Sequence, residues 1–81
     1  MGRFFFHLRD GDRRMADEEG TVLPDLSAAK HEARLCAREL LAEAIKNAAV
    51  RVPHLLVIAD ADGKELSSLA IADVLPKSFF K

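Results

Sequence analysis

The chain has 81 residues, 12 of them basic and 13 acidic, with a single cysteine and no tryptophan or tyrosine. This length accommodates one domain, and one cysteine excludes both an intramolecular disulfide and a multi-cysteine zinc site and suits a reducing cytoplasm. The net charge of −1 removes the usual electrostatic argument for nucleic acid, and no apolar run approaches the ~20 residues of a membrane-spanning helix.

The first segment, residues 3–9 (R-F-F-F-H-L-R), is typical of a β-strand because aromatic residues favour a pleated surface. Alternation assigns its side chains to opposite faces, with Phe4, Phe6 and Leu8 on one and Arg3, Phe5, His7 and Arg9 on the other. Asp-Gly at 10–11 predicts a hairpin to a short return strand over 13–16. A turn over 17–20 and a third extended segment, residues 21–23, follow, and Pro24 ends that segment.

The central segment predicts one long amphipathic helix. Asp25 or Ser27 supplies the N-cap, and apolar residues then recur at steps of three and four to about Ala49. Alanine is frequent on the apolar side, which favours close packing of the helix on a sheet.

Two further strands are predicted after Pro53, over residues 54–60 and 64–72, joined by the turn Asp60-Ala61-Asp62-Gly63. The resulting order is ββαββ, an α+β domain in which one long helix packs on one face of a mainly antiparallel four-stranded sheet. We assign residues 1–75 to this domain and residues 76–81 to a C-terminal tail.

Residues that could perform catalysis or bind metal lack the arrangement that such chemistry needs. Neither acidic turn has the ligand spacing of a calcium loop, and the three histidines and Cys36 have no familiar zinc spacing. Ser27, Ser67 and Ser68 lie in no nucleophile motif. The sequence therefore predicts no metal, no cofactor and no catalytic residue. A small ligand-binding or enzymatic domain that uses His7 and Arg9 stays open as an alternative.

The polar side of the first strand allows two interpretations. Arg3, Phe5, His7 and Arg9 resemble a stacking platform for single-stranded nucleic acid, but the neighbouring acids would repel phosphate, so nucleic acid is the less favoured partner. We instead expect His7 and Arg9 to contact the acids from Asp17 to Glu19 and fasten the loop before the helix.

Three strings of the chain resemble a domain-of-unknown-function family of short bacterial proteins. They are F-F-H-L-R-D-G at 5–11, E-G-T-V-L-P-D at 19–25 and D-A-D-G at 60–63. The resemblance covers about residues 3–75 and implies a small cytoplasmic bacterial protein, with no catalytic residue to carry over. Leu23-Pro24-Asp25 before the helix is also similar to small antitoxin domains that bind a partner toxin.

Apolar residues on both sides of two strands predict self-association. One helix covers one face of the sheet, so Phe5, Leu55 and Val57 are expected to form an exposed apolar patch on the other. Phe79 and Phe80 of the tail have no place in the core between helix and sheet. We expect a homodimer whose interface includes these five residues, and a non-enzymatic interaction module as the function.

Overall fold

The computed structural model describes residues 2–47 and 52–74. Its elements are β1 (Gly2–Asp10), β2 (Arg13–Met15), β3 (Thr21–Leu23), α1 (Leu26–Lys46), β4 (Leu55–Ala59), β5 (Glu65–Ala70) and a 3₁₀ helix (Ile71–Val74). The predicted α+β fold is confirmed. The described sheet has five strands rather than four because the extended segment Thr21–Leu23 also pairs with β1.

The strands are antiparallel, in the order β2-β1-β4-β5, with β3 also paired to β1. β3 lies opposite residues 2–4 of β1 and β2 lies opposite residues 8–10, so the middle of β1 has neither strand beside it. On its other edge, β1 pairs with β4 over residues 5–9, where His7 is opposite Val57. The central strands of the sheet are therefore β1 and β4, and β5 lies at one edge.

Asp25, one of the two predicted caps, is the N-cap of α1, because its carboxylate accepts the Ala28 N–H at 2.8 Å. The helix ends at Lys46, before the predicted end at about Ala49, and residues 48–51 lie outside the described part of the chain. Its buried residues are Ala29, Ala33, Ala37 and Leu41. Three alanines in this row bring the helix axis close to the sheet.

The hydrophobic core lies between α1 and one face of the sheet. Its largest fully buried side chains are Leu56, Ile58 and Ile71. The residues that alternation assigns to one face of β1, Phe4, Phe6 and Leu8, are buried or packed against the core, as are Leu40 of α1 and Leu69 of β5. Ala44, nearer the end of α1, is half-buried.

The last predicted strand is shorter than expected. β5 ends at Ala70, and Ile71–Val74 forms a 3₁₀ helix where the sequence predicts strand to Ala72. The spacing of three residues in such a helix places Ile71 and Val74 on the same side, and both are buried in the core. Burial of this pair against α1 accounts for the change from strand to helix.

Candidate functional site

The carboxylate of Asp17 fills the gap that β2 and β3 leave beside β1. Its Oδ2 accepts the Phe6 N–H at 3.1 Å, in the position that a strand carbonyl would otherwise take. Its Oδ1 accepts the N–H groups of Glu19 at 3.2 Å and Gly20 at 3.1 Å. Burial alone would raise the pKa of Asp17, but these three N–H groups and the nearby His7 lower it overall. The loop between β2 and β3 is thus held to β1 by one ionised side chain.

His7 fastens the same loop from the strand side. The residue is only 8% exposed. Its Nδ1 accepts a hydrogen bond from the Asp17 N–H at 3.0 Å, so the proton of the neutral ring lies on Nε2. Burial lowers the pKa of His7 and the charge of Arg14 lowers it further, while Asp17 and Glu65 oppose the shift. The ring stacks on Phe5 with centroids 6.3 Å apart. Because the His7 ring is buried, it presents little surface on which an incoming base could stack.

Arg9 lies away from the acidic loop. Its Nη2 is 3.2 Å from Glu65 Oε2, on β5, whereas the sequence analysis places its partners between Asp17 and Glu19. Glu19 instead accepts with its backbone carbonyl, from Arg3 Nη1 at 2.8 Å. The structure therefore brings His7, Asp17 and Glu19 together and pairs Arg9 with an acid 56 residues along the chain.

We use the term open face for the side of the sheet that α1 does not cover. The register assigns to it Phe5, His7, Arg9, Leu55, Val57, Ala59, Glu65, Ser68 and Ala70. The Arg9–Glu65 pair joins β1 to β5 and so crosses β4 on this face.

The open face is less exposed and more polar than the sequence predicts. Val57 is only 3% exposed, so the prediction that it lies in an exposed patch is wrong. It lies on β4 between His7 of β1 and Ser68 of β5, on the strand that the Arg9–Glu65 pair crosses. Phe5 and Leu55 are half-buried. Phe79 and Phe80, also expected at the interface, lie outside the described residues.

A shallow cleft of about 260 Å³ opens on the open face beside the His7–Asp17 pair, with Phe5, Arg14 and Asp60 among its lining residues. Both titratable groups of the pair are already engaged: the Asp17 carboxylate accepts three N–H groups, and His7 Nδ1 accepts another. Proton uptake by the Asp17 carboxylate would weaken its three contacts, and proton uptake at His7 Nδ1 would break the fourth, so general-base chemistry would loosen the loop. The geometry of this cleft therefore favours a structural role for the pair.

A second cavity of about 180 Å³ lies between α1 and β5. Lys30 and Arg34, one helical turn apart, line one side, and Ser67 and Ser68 line the other. Its remaining lining is apolar, from Ala33, Ile58 and Leu69. The sequence analysis missed this site because Lys30 and Arg34 follow the ordinary pattern of a solvent-exposed helix side, and nothing in the sequence indicates that β5 lies beside them.

The remaining candidate groups are spread over the fold. Cys36 is half-buried, and burial, together with Glu32 and Glu39, raises the pKa of its thiol. His54 Nδ1 accepts the Gly11 N–H at 3.3 Å. Within residues 2–47 and 52–74, no three His, Cys, Asp or Glu side chains are grouped so that they could hold a metal. Over the same ranges, no helix combines the length and apolarity needed to cross a membrane.

The fold and the loop fixed by Asp17 define a small α+β domain with one helix on one side of an antiparallel sheet. A family model described as a domain of unknown function, DUF6894, matches residues 3–72, and the chain belongs to this family. The match confirms the resemblance to a domain-of-unknown-function family. No curated protein and no solved structure matches the chain.

Proposed function

We propose that this domain is a non-enzymatic protein-interaction module that acts as a homodimer in the bacterial cytoplasm, with the open face as the dimer interface. The proposal rests on one observation: the described helix packs on one side of the sheet, while the other side carries half-buried apolar residues. A two-fold dimer is the commonest arrangement in which such a face is covered.

The charges of the open face support pairing with a second copy. In a two-fold interface, a residue away from the axis contacts a different residue of the partner, and the contact occurs twice. Arg9 and Glu65 are both partly exposed on this face, with 40% and 55% of their side chains accessible. Arg9 of each copy would therefore approach Glu65 of the other, beside the apolar contacts of Phe5 and Leu55. Arginine and aromatic residues are enriched in protein interfaces.

The polar cluster supports the non-enzymatic part of the proposal. Asp17 and His7, the pair with shifted pKa values on this face, use their acceptor atoms to hold the β2–β3 loop. A catalytic acid or base needs a free position toward the substrate.

Light scattering on a sizing column, with the full chain, tests the dimer. The wild type should elute at twice the monomer mass, and Leu55→Lys should shift it to monomer because it places a cation beside Arg9 in the interface. Ile45→Lys is the matched control, since Ile45 is an exposed apolar residue of α1, 66% accessible, away from the sheet. A wild-type chain that stays monomeric at high micromolar concentration contradicts the proposal, as does a dimer that Ile45→Lys disrupts and Leu55→Lys does not.

Phe79 and Phe80 are tested in the same way. A Phe79→Ser/Phe80→Ser variant that weakens the dimer would place the tail in the interface. An unchanged mass across a dilution series would remove these two residues from the proposed interface and leave the open face of the sheet to form it.

A further inference from the structure

Among the described residues, no strand occupies the outer hydrogen-bonding edge of β5. Within the described sheet it pairs with β4 alone. The Ile71 N–H donates to the His54 carbonyl at 3.0 Å, which continues the β4–β5 ladder by one pair. Since backbone groups alternate in direction along an antiparallel strand, Ser67 and Leu69 point toward β4, and Ser68 and Ala70 point outward. The outward N–H and C=O groups of Ser68 and Ala70 can therefore accept another strand.

The features that usually protect an edge strand lie away from this part of β5. Natural edges are blocked by charged side chains, by proline or by a bulge. The register irregularity of β5 lies at its start, where Glu65 faces Ala59, and Glu65 is also the charged residue of the strand. From Leu66 to Ala70 the strand contains only leucine, serine and alanine. This stretch is open to strand addition.

The cavity between α1 and β5 lies directly beside that edge. Ser67 and Leu69 face α1, because they pair with the core residues Ile58 and Leu56. An added strand would turn every second side chain to the same side, toward Lys30 and Arg34. Within the described part of the chain, neither of these cations forms an ion pair or a side-chain hydrogen bond.

We propose that the β5 edge is a docking site for an extended acidic segment of a partner protein. The segment adds to β5 as an antiparallel strand, bonded to the backbone of Ser68 and Ala70. Its helix-facing Asp or Glu side chains enter the cavity and pair with Lys30 and Arg34. Main-chain hydrogen bonds then supply affinity, and the two cations supply selectivity for acidic side chains.

A second copy of this chain is the poorer occupant of the same edge. If two β5 strands paired about a two-fold axis normal to the sheet, both helices would lie on one side. Lys30 and Arg34 of each copy would then face the same two cations of the other, which is unfavourable. The dimer proposed above uses the side chains of the open face, whereas strand addition uses the backbone groups at the β5 edge, so side-chain and backbone variants distinguish the two.

The first test selects a displayed library of random twelve-residue peptides on the wild-type chain, at low salt. Enriched peptides should carry acidic residues at alternate positions. They should bind a Lys30→Glu/Arg34→Glu variant about tenfold more weakly or worse. Arg13→Glu/Lys46→Glu is the matched control, because it changes the net charge equally at exposed residues of β2 and the end of α1. Failure to enrich acidic peptides, or equal loss in both variants, would overturn the proposal.

The second test separates strand addition from simple charge attraction. Ser68→Pro removes an outward N–H, whereas Ser68→Ala keeps it and removes the hydroxyl; proline is tolerated where the N–H of an edge strand faces solvent. The proline variant should lose binding of the enriched peptide and the alanine variant should keep it. In the wild type, the peptide should slow hydrogen exchange at the Ser68 and Ala70 amides. Exchange that stays unchanged on saturation would overturn strand addition.

A third comparison keeps the two surfaces distinguishable. Leu55→Lys should bind the enriched peptide with the same affinity as the wild type, whether the variant is a monomer or a dimer. Ser68 also lies on the open face, so the dimer is compared in Ser68→Pro and Ser68→Ala. If Ser68→Pro is monomeric while Ser68→Ala stays dimeric, the β5 edge is a self-interface, and the docking proposal is wrong while self-association stands.

Discussion

Replacing Asp17 with alanine should destabilise the domain by about 2–4 kcal/mol. Its carboxylate accepts hydrogen bonds from three N–H groups. The Phe6 N–H lies in the gap between β2 and β3 and is partly buried, whereas the Glu19 N–H is exposed. A hydrogen bond to a charged acceptor contributes about 1.5–3 kcal/mol, and exposed donors regain water when the acceptor is lost. The Phe6 and Gly20 bonds, both partly buried, therefore account for most of the expected loss. A domain of this length has a total stability of roughly 4–12 kcal/mol.

Urea unfolding followed by far-ultraviolet circular dichroism measures this loss at pH 7. Glu18→Ala is the matched control, because it removes an exposed acid from the same loop. Asp17→Asn should lie between alanine and the wild type, since the amide keeps one acceptor oxygen and loses the charge. A free energy of unfolding for Asp17→Ala within about 0.5 kcal/mol of the wild type would refute the role assigned to the carboxylate.

The pH dependence gives a second readout of the same group. Because the pKa of Asp17 is lowered in the folded state, its stabilising contribution is complete above the ordinary value of 3.8. That contribution is lost as the pH falls from 3.8 through the folded-state pKa. The difference in unfolding free energy between the wild type and Asp17→Ala should therefore shrink over this acidic range. A difference that stays constant down to pH 2 would contradict the carboxylate mechanism.

Three further outcomes are expected. The pKa of His7 is lowered from 6.5 in the folded state, so the wild type should lose stability as the pH falls below 6.5. His7→Phe should be less stable than the wild type at pH 7 and should lose less stability over that range. Parallel plots of unfolding free energy against pH for the two proteins would contradict the argument. Gly20→Ala should cost more than about 1 kcal/mol in thermal unfolding, because Gly20 has φ +71° and a Cβ there would lie 2.8 Å from Arg3 Cγ; an unchanged melting temperature would show that the loop relaxes freely. A double-mutant cycle of Arg9→Ala and Glu65→Ala should give a coupling of about 0.2–1 kcal/mol that falls in high salt, and a salt-independent value would mean that the pair acts through packing.

The fold follows from signals that are local in the sequence. A period of two over residues 3–9 separates the two faces of β1, and a period near 3.6 defines the buried side of α1. These periods arise from backbone geometry, so they predict the elements and their inward faces without knowledge of the neighbours. The residues packed between α1 and the sheet agree closely with that prediction.

The candidate sites depend on partners that are distant in the sequence. Asp17 resembles any acid of a polar turn until the gap between β2 and β3 places it beside the Phe6 N–H. Arg9 is close in the sequence to the three acids of the loop, yet the sheet order brings Glu65 of β5 within its reach. For Val57, alternation predicts the face, and the polar groups around it decide its exposure. Side-chain positions of this kind require the register of the whole sheet.

The central pairing of the sheet has a consequence for synthesis of the chain on the ribosome. β1 bonds on one edge to β2 and β3, which follow at once, and on the other to β4, which begins only at Leu55. At a synthesis rate of about 5–20 residues per second, roughly 2–9 s separate the emergence of Asp10 from that of Leu55. During that interval the second edge of an aromatic-rich strand has no partner within its own chain. We therefore expect the domain to be most accessible to chaperones, and most prone to mispairing with a neighbouring nascent chain, while only its N-terminal half has been synthesised.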